Sequence, residues 1–262
     1  MTLVEALRSS ALGPREARLL LAAASGLSEA HIAAFPEEPL PASSLERFAE
    51  YAERRARGEP VAYIVGCKEF YSMELAVTPA VLIPRPETEL LVELAVRMRP
   101  ASVLDLGTGS GAIALAIKRA LPGTRVVAVE ASTPALDVAR ANGARHALDV
   151  DWRLGSWFEP VGGERFELIV SNPPYVAEGD PHLAALRYEP TGALVSGAQG
   201  LDAIRDITGS ARGFLEAGGW LDVEHGHDQA EAVGRLFAAG GLEQIATWPD
   251  LAGIPRITGG RR

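Results

Sequence analysis

From residue 102 onward, short apolar runs alternate with segments whose apolar residues recur at helical spacing. The runs Ser102–Leu106, Arg125–Val129 and Phe166–Val170 are typical of buried strands. Helices are predicted over Ala112–Leu121, Pro134–Leu148, Leu201–Leu215 and Gln229–Ala239, and further strands over Val150–Leu154, Trp220–Val223, Leu242–Thr247 and Ile254–Thr258. This alternation predicts an α/β fold with a parallel sheet covered on both faces, whose ligands bind at the carboxyl ends of its strands.

The first fifth of the chain shows helical spacing only. Pro14 in a first turn and Gly26 after a last turn bound one predicted helix. Ser43, followed three residues later by Glu46, forms a capping-box pattern that predicts the start of another helix. We therefore predict a small helical domain over residues 1–59.

Between these two parts the apolar pattern becomes strand-like. Ala62–Val65 and Phe70–Val77 are predicted strands, and apolar residues alternate in the second. Together they predict a β-hairpin linker over residues 60–82, which leaves residues 83–262 for the α/β domain.

Composition narrows the possible classes of protein. No apolar run approaches the ~20 residues that span a bilayer, and the N-terminus does not resemble a secretory signal, so we expect a cytoplasmic protein without membrane contact. The single cysteine, Cys67, excludes an internal disulfide and a multi-cysteine metal site. A net charge of −9 argues against general affinity for nucleic acid. The tight basic cluster of Arg54, Arg55 and Arg57 is interpreted as the solvated end of a helix.

A glycine-rich turn follows the first strand of the predicted sheet. Glycine permits positive φ and lets a ligand approach the backbone closely. Glu130, at the end of the next strand, is placed to accept hydrogen bonds from two ribose hydroxyls. The combination predicts a site for a nucleoside-containing cofactor. Its turn residues are Gly107, Thr108, Gly109, Ser110 and Gly111.

An acidic residue before this turn distinguishes two candidate cofactors. Gly109, Gly111 and Ala114 nominally satisfy the dinucleotide pattern, which would make the cofactor a nicotinamide. Asp105, two positions before the first glycine, would repel a pyrophosphate but suits the ammonium group of S-adenosylmethionine. The stretch Val103–Gly111 also resembles the first motif of class I methyltransferases. We therefore favour S-adenosylmethionine as the cofactor, with S-adenosylhomocysteine as the product.

An aromatic pair follows the third predicted strand of the sheet, where class I methyltransferases contact adenine. On this resemblance, Trp157 would form an apolar wall for the base of the cofactor. Trp157 and Phe158 could instead belong to the hydrophobic core, and the sequence leaves both interpretations open.

The tetrapeptide Asn172-Pro173-Pro174-Tyr175 follows the strand Phe166–Val170. Each proline fixes its own φ and keeps the preceding residue extended, so the Asn172 side chain can point into the crevice at the strand end. Proline has no N–H, so the backbone here offers mainly carbonyl acceptors, and Tyr175 adds a flat ring. Such a site suits a planar group that carries an NH2.

The whole chain resembles the HemK/PrmC family, the peptide chain release factor glutamine methyltransferases. Two features carry most of the specificity: the Pro-Arg-Pro segment and the helical N-terminal region. The matching residues are Arg57–Gly66, Glu69, Phe70, Leu82–Glu89, Asp105–Gly111, Asn172–Tyr175, Tyr188–Pro190, Leu194, Gly200, Leu201, Asp250–Gly253 and Arg256.

This resemblance implies a class I, Rossmann-like methyltransferase domain, with the helical domain gripping the substrate. The reaction would be methylation of the N5 side-chain amide of glutamine in the Gly-Gly-Gln motif of class I release factors. Asn172, Pro173, Pro174 and Tyr175 would then hold the glutamine and form the catalytic set, and Asn172 would also contact the cofactor. No direct contact with nucleic acid is expected.

Three other functions remain open from the residues. A methyltransferase acting on exocyclic amines of DNA or RNA uses the same tetrapeptide, but would need a basic groove that this acidic chain does not show. A binding module without catalysis would not need Asn172 and Asp105, and a nicotinamide oxidoreductase would bind NAD instead.

Two positions depart from the family pattern. Glu130 stands where the family often has aspartate, but it can make the same ribose contacts. Glu224-His225-Gly226-His227 contains two histidines, which are too few for a metal site, so we interpret this segment as a solvent-facing loop.

Overall fold

The computed structural model describes all 262 residues of the chain. They form two compact units, Met1–Cys67 and Lys68–Arg262. None of the helices combines the length and the apolar composition needed to cross a membrane. The helices are α1 (Leu3–Ser9), α2 (Pro14–Ser25), α3 (Glu29–Ala34), α4 (Ala42–Ala56), α5 (Val61–Val65), α6 (Glu89–Met98), α7 (Ala112–Ala120), α8 (Thr133–Arg145), α9 (Asp202–Phe214) and α10 (Ala230–Ala239). The strands are β1 (Cys67–Phe70), β2 (Met73–Ala76), β3 (Ser102–Leu106), β4 (Arg125–Glu130), β5 (Asp151–Leu154), β6 (Phe166–Ser171), β7 (Leu215–Glu224), β8 (Glu243–Pro249) and β9 (Pro255–Arg261).

The first unit is helical, as the spacing of its apolar residues predicts. Helix α2 begins at Pro14 and is closed by Gly26 at φ +75°, which confirms both predicted ends. The core of this first unit contains Leu3, Leu20, Ile32 and Phe48, all of which are buried.

The capping box predicted at Ser43 is wrong. Helix α4 begins at Ala42 instead, with Pro41 at its N-cap and no side-chain cap. The backbone N–H groups of Ser44 and Leu45 both bond to the Pro41 carbonyl at 3.0 Å. Ser43 therefore lies inside the first turn, because the fixed φ of proline starts the helix earlier.

The basic cluster lies at the end of α4, as predicted, but two of its members are half-buried in ion pairs and not fully solvated. Arg54 pairs with Glu59 at 2.6 Å and Arg55 with Glu16 at 3.0 Å. The third member, Arg57, follows the helix and is well exposed.

The strand predicted over Ala62–Val65 is wrong as well. These residues belong to helix α5, which Pro60 starts and Gly66 ends at φ +78°. The hairpin is formed by β1 and β2, and it turns at Tyr71 and Ser72, whose φ values are +48° and +57°. Two central residues with positive φ are typical of the tight turns that match the twist of a hairpin. The predicted linker over residues 60–82 thus contains a helix and a shorter hairpin.

The second unit contains a seven-stranded sheet in the order β5-β4-β3-β6-β7-β9-β8. All neighbouring strands are parallel except at β9, which is antiparallel to both β7 and β8. This arrangement confirms the predicted α/β fold. The strand order reverses between β3 and β6, whose last residues Leu106 and Ser171 are paired. Ligands bind beside such a switch point in open α/β sheets.

Apolar side chains leave both faces of the sheet, which explains the continuous apolar runs in the sequence. Val103, Val126 and Leu168 pack on one face with α6 and α7. Leu104 and Ile169 pack on the other face with α9 and α10. Both layers hold the strand ends in place, and the loops that follow them form the site.

Candidate functional site

A cavity of about 520 Å³ lies where the loops after β3, β4 and β6 meet. Its size is within the usual range for a small-molecule site. Of the predicted residues, it is lined by Gly107, Thr108, Gly109, Ser110, Glu130, Trp157, Asn172 and Pro174. The remaining four, Asp105, Gly111, Pro173 and Tyr175, do not line it.

The glycine-rich turn curls back on the neighbouring strand. Backbone N–H groups of Gly107 and Thr108 both donate to the Val129 carbonyl, at 2.9 and 3.0 Å. Gly107, Gly109 and Gly111 all have positive φ, which other residues adopt only with strain. The turn therefore presents bare backbone to the cavity.

Gly111 is needed for packing as well as for its backbone conformation. A Cβ atom there would lie 3.0 Å from the ring of Trp152 and 3.3 Å from Ala139. The residue starts α7 at φ +84° and lies behind the cavity wall. Its place in the motif is thus explained by close contact between α7 and its neighbours.

Asp105 is fully buried beneath the turn. Its Oδ2 accepts a hydrogen bond from the Thr108 hydroxyl at 2.6 Å, whereas Oδ1 has no partner. Burial raises the pKa of this carboxyl to about 7, against the opposing effect of the Thr108 hydrogen bond. An unpartnered buried carboxyl oxygen is costly, so a positive charge bound on the other side of the turn would stabilise this side chain.

Glu130 lies at the end of β4 and supports the turn from the side. Its Oε2 accepts from the Gly109 N–H and its Oε1 from the Ser132 N–H, both at 2.9 Å. Each carboxylate oxygen has a second lone pair. Both oxygens can therefore accept one further hydrogen bond from a ligand hydroxyl.

The aromatic pair after β5 divides between cavity and core. Trp157 lines the cavity and has φ +43°, a conformation that is uncommon for a bulky residue. A Cβ atom at Gly107 would lie 3.5 Å from its ring, so the indole packs beside the glycine-rich turn. Phe158 instead is buried and stacks on Phe214 at 4.4 Å between ring centroids.

Ser171 and the tetrapeptide that follows it donate three side-chain hydrogen bonds. Ser171 Oγ donates to the Leu106 carbonyl at 2.8 Å, which ties the end of β6 to the end of β3. Asn172 Nδ2 donates to Thr88 Oγ1 at 3.1 Å. The Tyr175 hydroxyl donates to Glu224 Oε1 at 3.4 Å, and burial raises the pKa of this phenol. The Asn172 side chain thus lines the cavity with its NH2 group already bonded.

The N-terminal part of the chain matches a family model described as the PrmC N-terminal domain over residues 3–66. Residues 86–188 match the methyltransferase small domain. The chain is 47% identical to the release factor glutamine methyltransferase of Burkholderia pseudomallei, over 99% of this chain and 96% of that protein. It is 48% identical to the protein of the same name from Xylella fastidiosa, over 94% of this chain and 92% of that protein. The chain belongs to the release factor glutamine methyltransferase family. The predicted family and the predicted class of enzyme, a methyltransferase dependent on S-adenosylmethionine, are therefore confirmed.

Solved structures share the fold of this family member. A methyltransferase from Pyrococcus furiosus superposes with a TM-score of 0.57 at 16% identity, over 81% of this chain and 98% of that one. The 16S rRNA N2 G1207 methyltransferase of T. thermophilus, determined with AdoMet and guanosine, gives a TM-score of 0.56 at 20% identity, over 75% of this chain and 49% of that one. At these identities the likeness concerns the fold alone.

The cavity of this release factor glutamine methyltransferase family member fits S-adenosylmethionine. Gly107 and Gly109 leave room for a ligand against the backbone, and Glu130 offers two carboxylate oxygens at the strand end. Trp157 provides an aromatic wall. The buried, unpartnered Oδ1 of Asp105 lies beneath the same turn.

Sequence reasoning assigned no structural role to four residues of the site, which are Thr88, Arg85, Glu189 and Glu224. Thr88 and Glu224 contact Asn172 and Tyr175 from behind. Glu189 accepts from the Ile83 N–H at 3.0 Å and forms an ion pair with Arg85, which explains why an arginine stands between two prolines. These residues belong to segments that are far apart in the chain, and nothing in the sequence indicates that the segments are in contact.

The prediction of a solvent-facing loop is wrong for His225. This residue is buried, and its Nε2 lies 2.9 Å from Thr258 Oγ1. Burial is the main reason why its pKa is lowered. The β7 strand continues to Glu224, so the next side chain remains inside the sheet. His227 is exposed, as predicted.

Proposed function

We propose that this protein transfers a methyl group from S-adenosylmethionine to the N5 side-chain amide of the glutamine in the Gly-Gly-Gln motif of class I peptide chain release factors. One observation carries the proposal: Asn172 lines the cavity beside the glycine-rich turn, with its NH2 group bonded to Thr88. Its carbonyl oxygen is therefore left to accept from a substrate. The relatives are named for glutamine of a release factor, whose side chain ends in such an NH2 group.

The residues around the glycine-rich turn would hold the cofactor. Glu130 would accept hydrogen bonds from the ribose, and Trp157 would pack against adenine. Asp105 would balance the ammonium group from beneath the turn. The backbone of residues 107–111 and the side chain of Asn172 would complete the site. When bound, S-adenosylmethionine supplies a methyl group activated by its positively charged sulfur.

The tetrapeptide would act on the substrate amide. An amide nitrogen is a poor nucleophile because its lone pair is delocalised. Asn172 Oδ1 and the Pro173 carbonyl would each accept one hydrogen of the glutamine NH2 and so orient its nitrogen. The same two acceptors favour the positive charge that develops on nitrogen. Pro174 and Tyr175 would keep this geometry rigid and line the glutamine.

The two predicted domains would have different roles toward the release factor. We propose that the helical domain over residues 1–59 grips this protein substrate and that residues 83–262 perform the transfer. Because release factors act in translation, the protein would work in the cytoplasm, without direct contact with nucleic acid or membrane.

A comparison of substrates and variants tests this function. We expect labelled methyl transfer to unmodified release factor and none to DNA or RNA oligonucleotides. Asn172→Ala should lower kcat at least about a hundredfold, since it removes an oriented acceptor. Its affinity for S-adenosylmethionine, measured by calorimetry, should fall by no more than about threefold, because Glu130, Trp157 and the turn backbone would supply most of the cofactor contacts.

A matched control is Gln244→Ala, which removes an exposed side-chain amide from the edge strand β8. It should leave transfer unchanged. Methylation of the oligonucleotides in preference to release factor would contradict the proposed substrate, and undiminished transfer by Asn172→Ala would contradict the proposed role of this residue.

A further inference from the structure

A row of hydrogen-bonding side chains lies behind Asn172. Its Nδ2 donates to Thr88 Oγ1 at 3.1 Å, and Thr88 is buried. The Thr88 hydroxyl is also close enough to the Glu224 carboxyl to lower the pKa of that group, and the same carboxylate accepts from the Tyr175 hydroxyl at 3.4 Å. Ser171 and Val223 are paired on β6 and β7, so the residues that follow them, Asn172 and Glu224, are neighbours at the end of the sheet.

The chemistry of these groups determines which of them donates and which accepts in each hydrogen bond. A carboxylate only accepts, whereas a hydroxyl donates one hydrogen and accepts through its lone pairs. When Glu224 is ionised, the Thr88 hydrogen points to it, and Thr88 can only accept from Asn172. The amide of Asn172 must then turn its NH2 group toward Thr88 and its oxygen away from it.

Glu224 is an unusual residue to bury at this position. It is 1% exposed, and its Oε2 has no hydrogen-bond partner. Burial of an ionisable carboxyl with an unpartnered oxygen is costly. What distinguishes Glu224 is its neighbours, the Thr88 and Tyr175 hydroxyls, which connect it to the tetrapeptide.

We propose that Thr88 and Glu224 are positioning residues that hold the Asn172 amide with its oxygen toward the substrate NH2. The inference rests on the proposed function only in taking the substrate group to be an NH2. Neither residue contacts the reacting atoms; both act through Asn172.

The charge of Glu224 should make this orientation sensitive to pH. Burial raises the pKa of Glu224 to about 7, while the Thr88 and Tyr175 hydroxyls and the charge of Arg256 lower it and Glu87 raises it. These groups, together with His225, which follows Glu224 directly after the end of β7, are the polar and charged neighbours of the carboxyl. A protonated Glu224 can donate to Thr88, which frees the Thr88 hydrogen for the Asn172 oxygen. The amide then has no fixed orientation.

Selective labelling allows this orientation to be followed directly. The chain contains only two asparagines, Asn142 and Asn172. In protein labelled with 15N at asparagine, the side-chain NH2 signals of Asn172 should shift with a midpoint near pH 7. Asn142 serves as the internal control, since its NH2 group donates to the carbonyls of Ala76 and Ser110 and should not respond.

Three variants separate positioning from simple support of the fold. Thr88→Val keeps the shape and removes the hydroxyl, Thr88→Ser keeps the hydroxyl, and Glu224→Gln removes the charge. The shift of the Asn172 signals should vanish in Thr88→Val and Glu224→Gln and persist in Thr88→Ser. This measurement needs no substrate, so it stands even if the wild type does not methylate release factor.

Methyl transfer provides the second readout. For the wild type, kcat should fall about tenfold from pH 8 to pH 6, because the ionised fraction of a group with a pKa near 7 falls about tenfold over this range. Glu224→Gln should be slower at pH 8, and its kcat should change less than about twofold over this range. Thr88→Val should lower kcat tenfold or more, with KM and cofactor affinity nearly unchanged, and Thr88→Ser should restore most of it.

The proposal is overturned if the Asn172 signals do not titrate, or if their titration survives in Thr88→Val. It is also overturned if Thr88→Val and Thr88→Ser lower kcat equally. If Glu224→Gln does not fold, the wild type and the two Thr88 variants still decide the outcome.

Discussion

Glu189 joins two segments of the cavity wall, and its removal should loosen both. Its carboxylate accepts from the Ile83 N–H at 3.0 Å and pairs with the Arg85 guanidinium. Pro84 lines the cavity on one side of this link, and Pro190 lines it on the other. We therefore expect Glu189→Ala to lower both the stability of the protein and its affinity for S-adenosylmethionine.

The size of the effect follows from the burial of the two partners. The Glu189 side chain is 3% exposed, but that of Arg85 is 35% exposed and can be solvated again once the pair is lost. Breaking a fully buried pair costs about 3–5 kcal/mol, so we expect about 2–3 kcal/mol here. If about half of this must be regained when the ligand orders the two segments, the Kd for S-adenosylmethionine rises roughly tenfold.

Thermal unfolding and calorimetric binding measure both effects. Glu189→Ala should lower Tm by about 5–8 °C, and Glu189→Gln, which keeps an acceptor for the Ile83 N–H, by about half as much. The control is Glu231→Ala, which breaks an exposed pair with Arg235 and should leave Tm within about 1 °C. Unchanged Tm and Kd in Glu189→Ala would refute the reasoning.

Three further substitutions test the buried carboxyl, the motif glycine and the aromatic wall. Burial raises the pKa of Asp222 from 3.8 to about 7, so its contribution to stability is full below pH 4 and is lost as pH rises through 7. Asp222→Asn removes this pH-dependent loss. Relative to wild type, its free energy of unfolding, measured with urea, should therefore be about 2–3 kcal/mol higher at pH 8 than at pH 5. Gly111→Ala should lower the free energy of unfolding by at least about 1 kcal/mol more than Gly26→Ala does. Both glycines have positive φ, but only Gly111 packs against the Trp152 ring. Equal losses of stability in the two variants would contradict the packing argument. Trp157→Ala should weaken binding of S-adenosylmethionine by about tenfold in calorimetry, whereas Trp157→Phe should retain most of the affinity.

The sheet could be predicted because its strands bury both faces. Runs such as Arg125–Val129 are apolar almost throughout, and the glycine-rich turn and the Pro-Pro turn end two of them sharply. Burial and strand ends are local properties, so the apolar pattern alone located β3, β4 and β6.

Local competition explains the elements that were predicted wrongly. Ala62–Val65 is short, β-branched and apolar, which favours a strand, but Pro60 begins a helix and Gly66 ends it. Tyr63 and Ile64 are both buried in this helix, so packing outweighs β propensity. At Ser43, Pro41 starts the helix before the predicted capping residue is reached.

The supports of the site could not be predicted because they are remote in sequence. Thr88 and Asn172 are 84 residues apart, and Arg85 and Glu189 are 104 residues apart. Hydrogen bonds between such positions depend on the whole topology. The turn and the tetrapeptide could be located since each is a continuous motif, but the burial of Asp105 beneath the turn became visible only in the fold.

Peptide mass spectrometry of a release factor is the most direct test of the proposed function. The unmodified factor would be incubated with labelled S-adenosylmethionine and either the wild type or Asn172→Ala, and then digested. We predict one methyl group on the side-chain amide of the Gly-Gly-Gln glutamine with the wild type and almost none with the variant. An unmodified glutamine, or a methyl group on another residue, would contradict the proposed substrate.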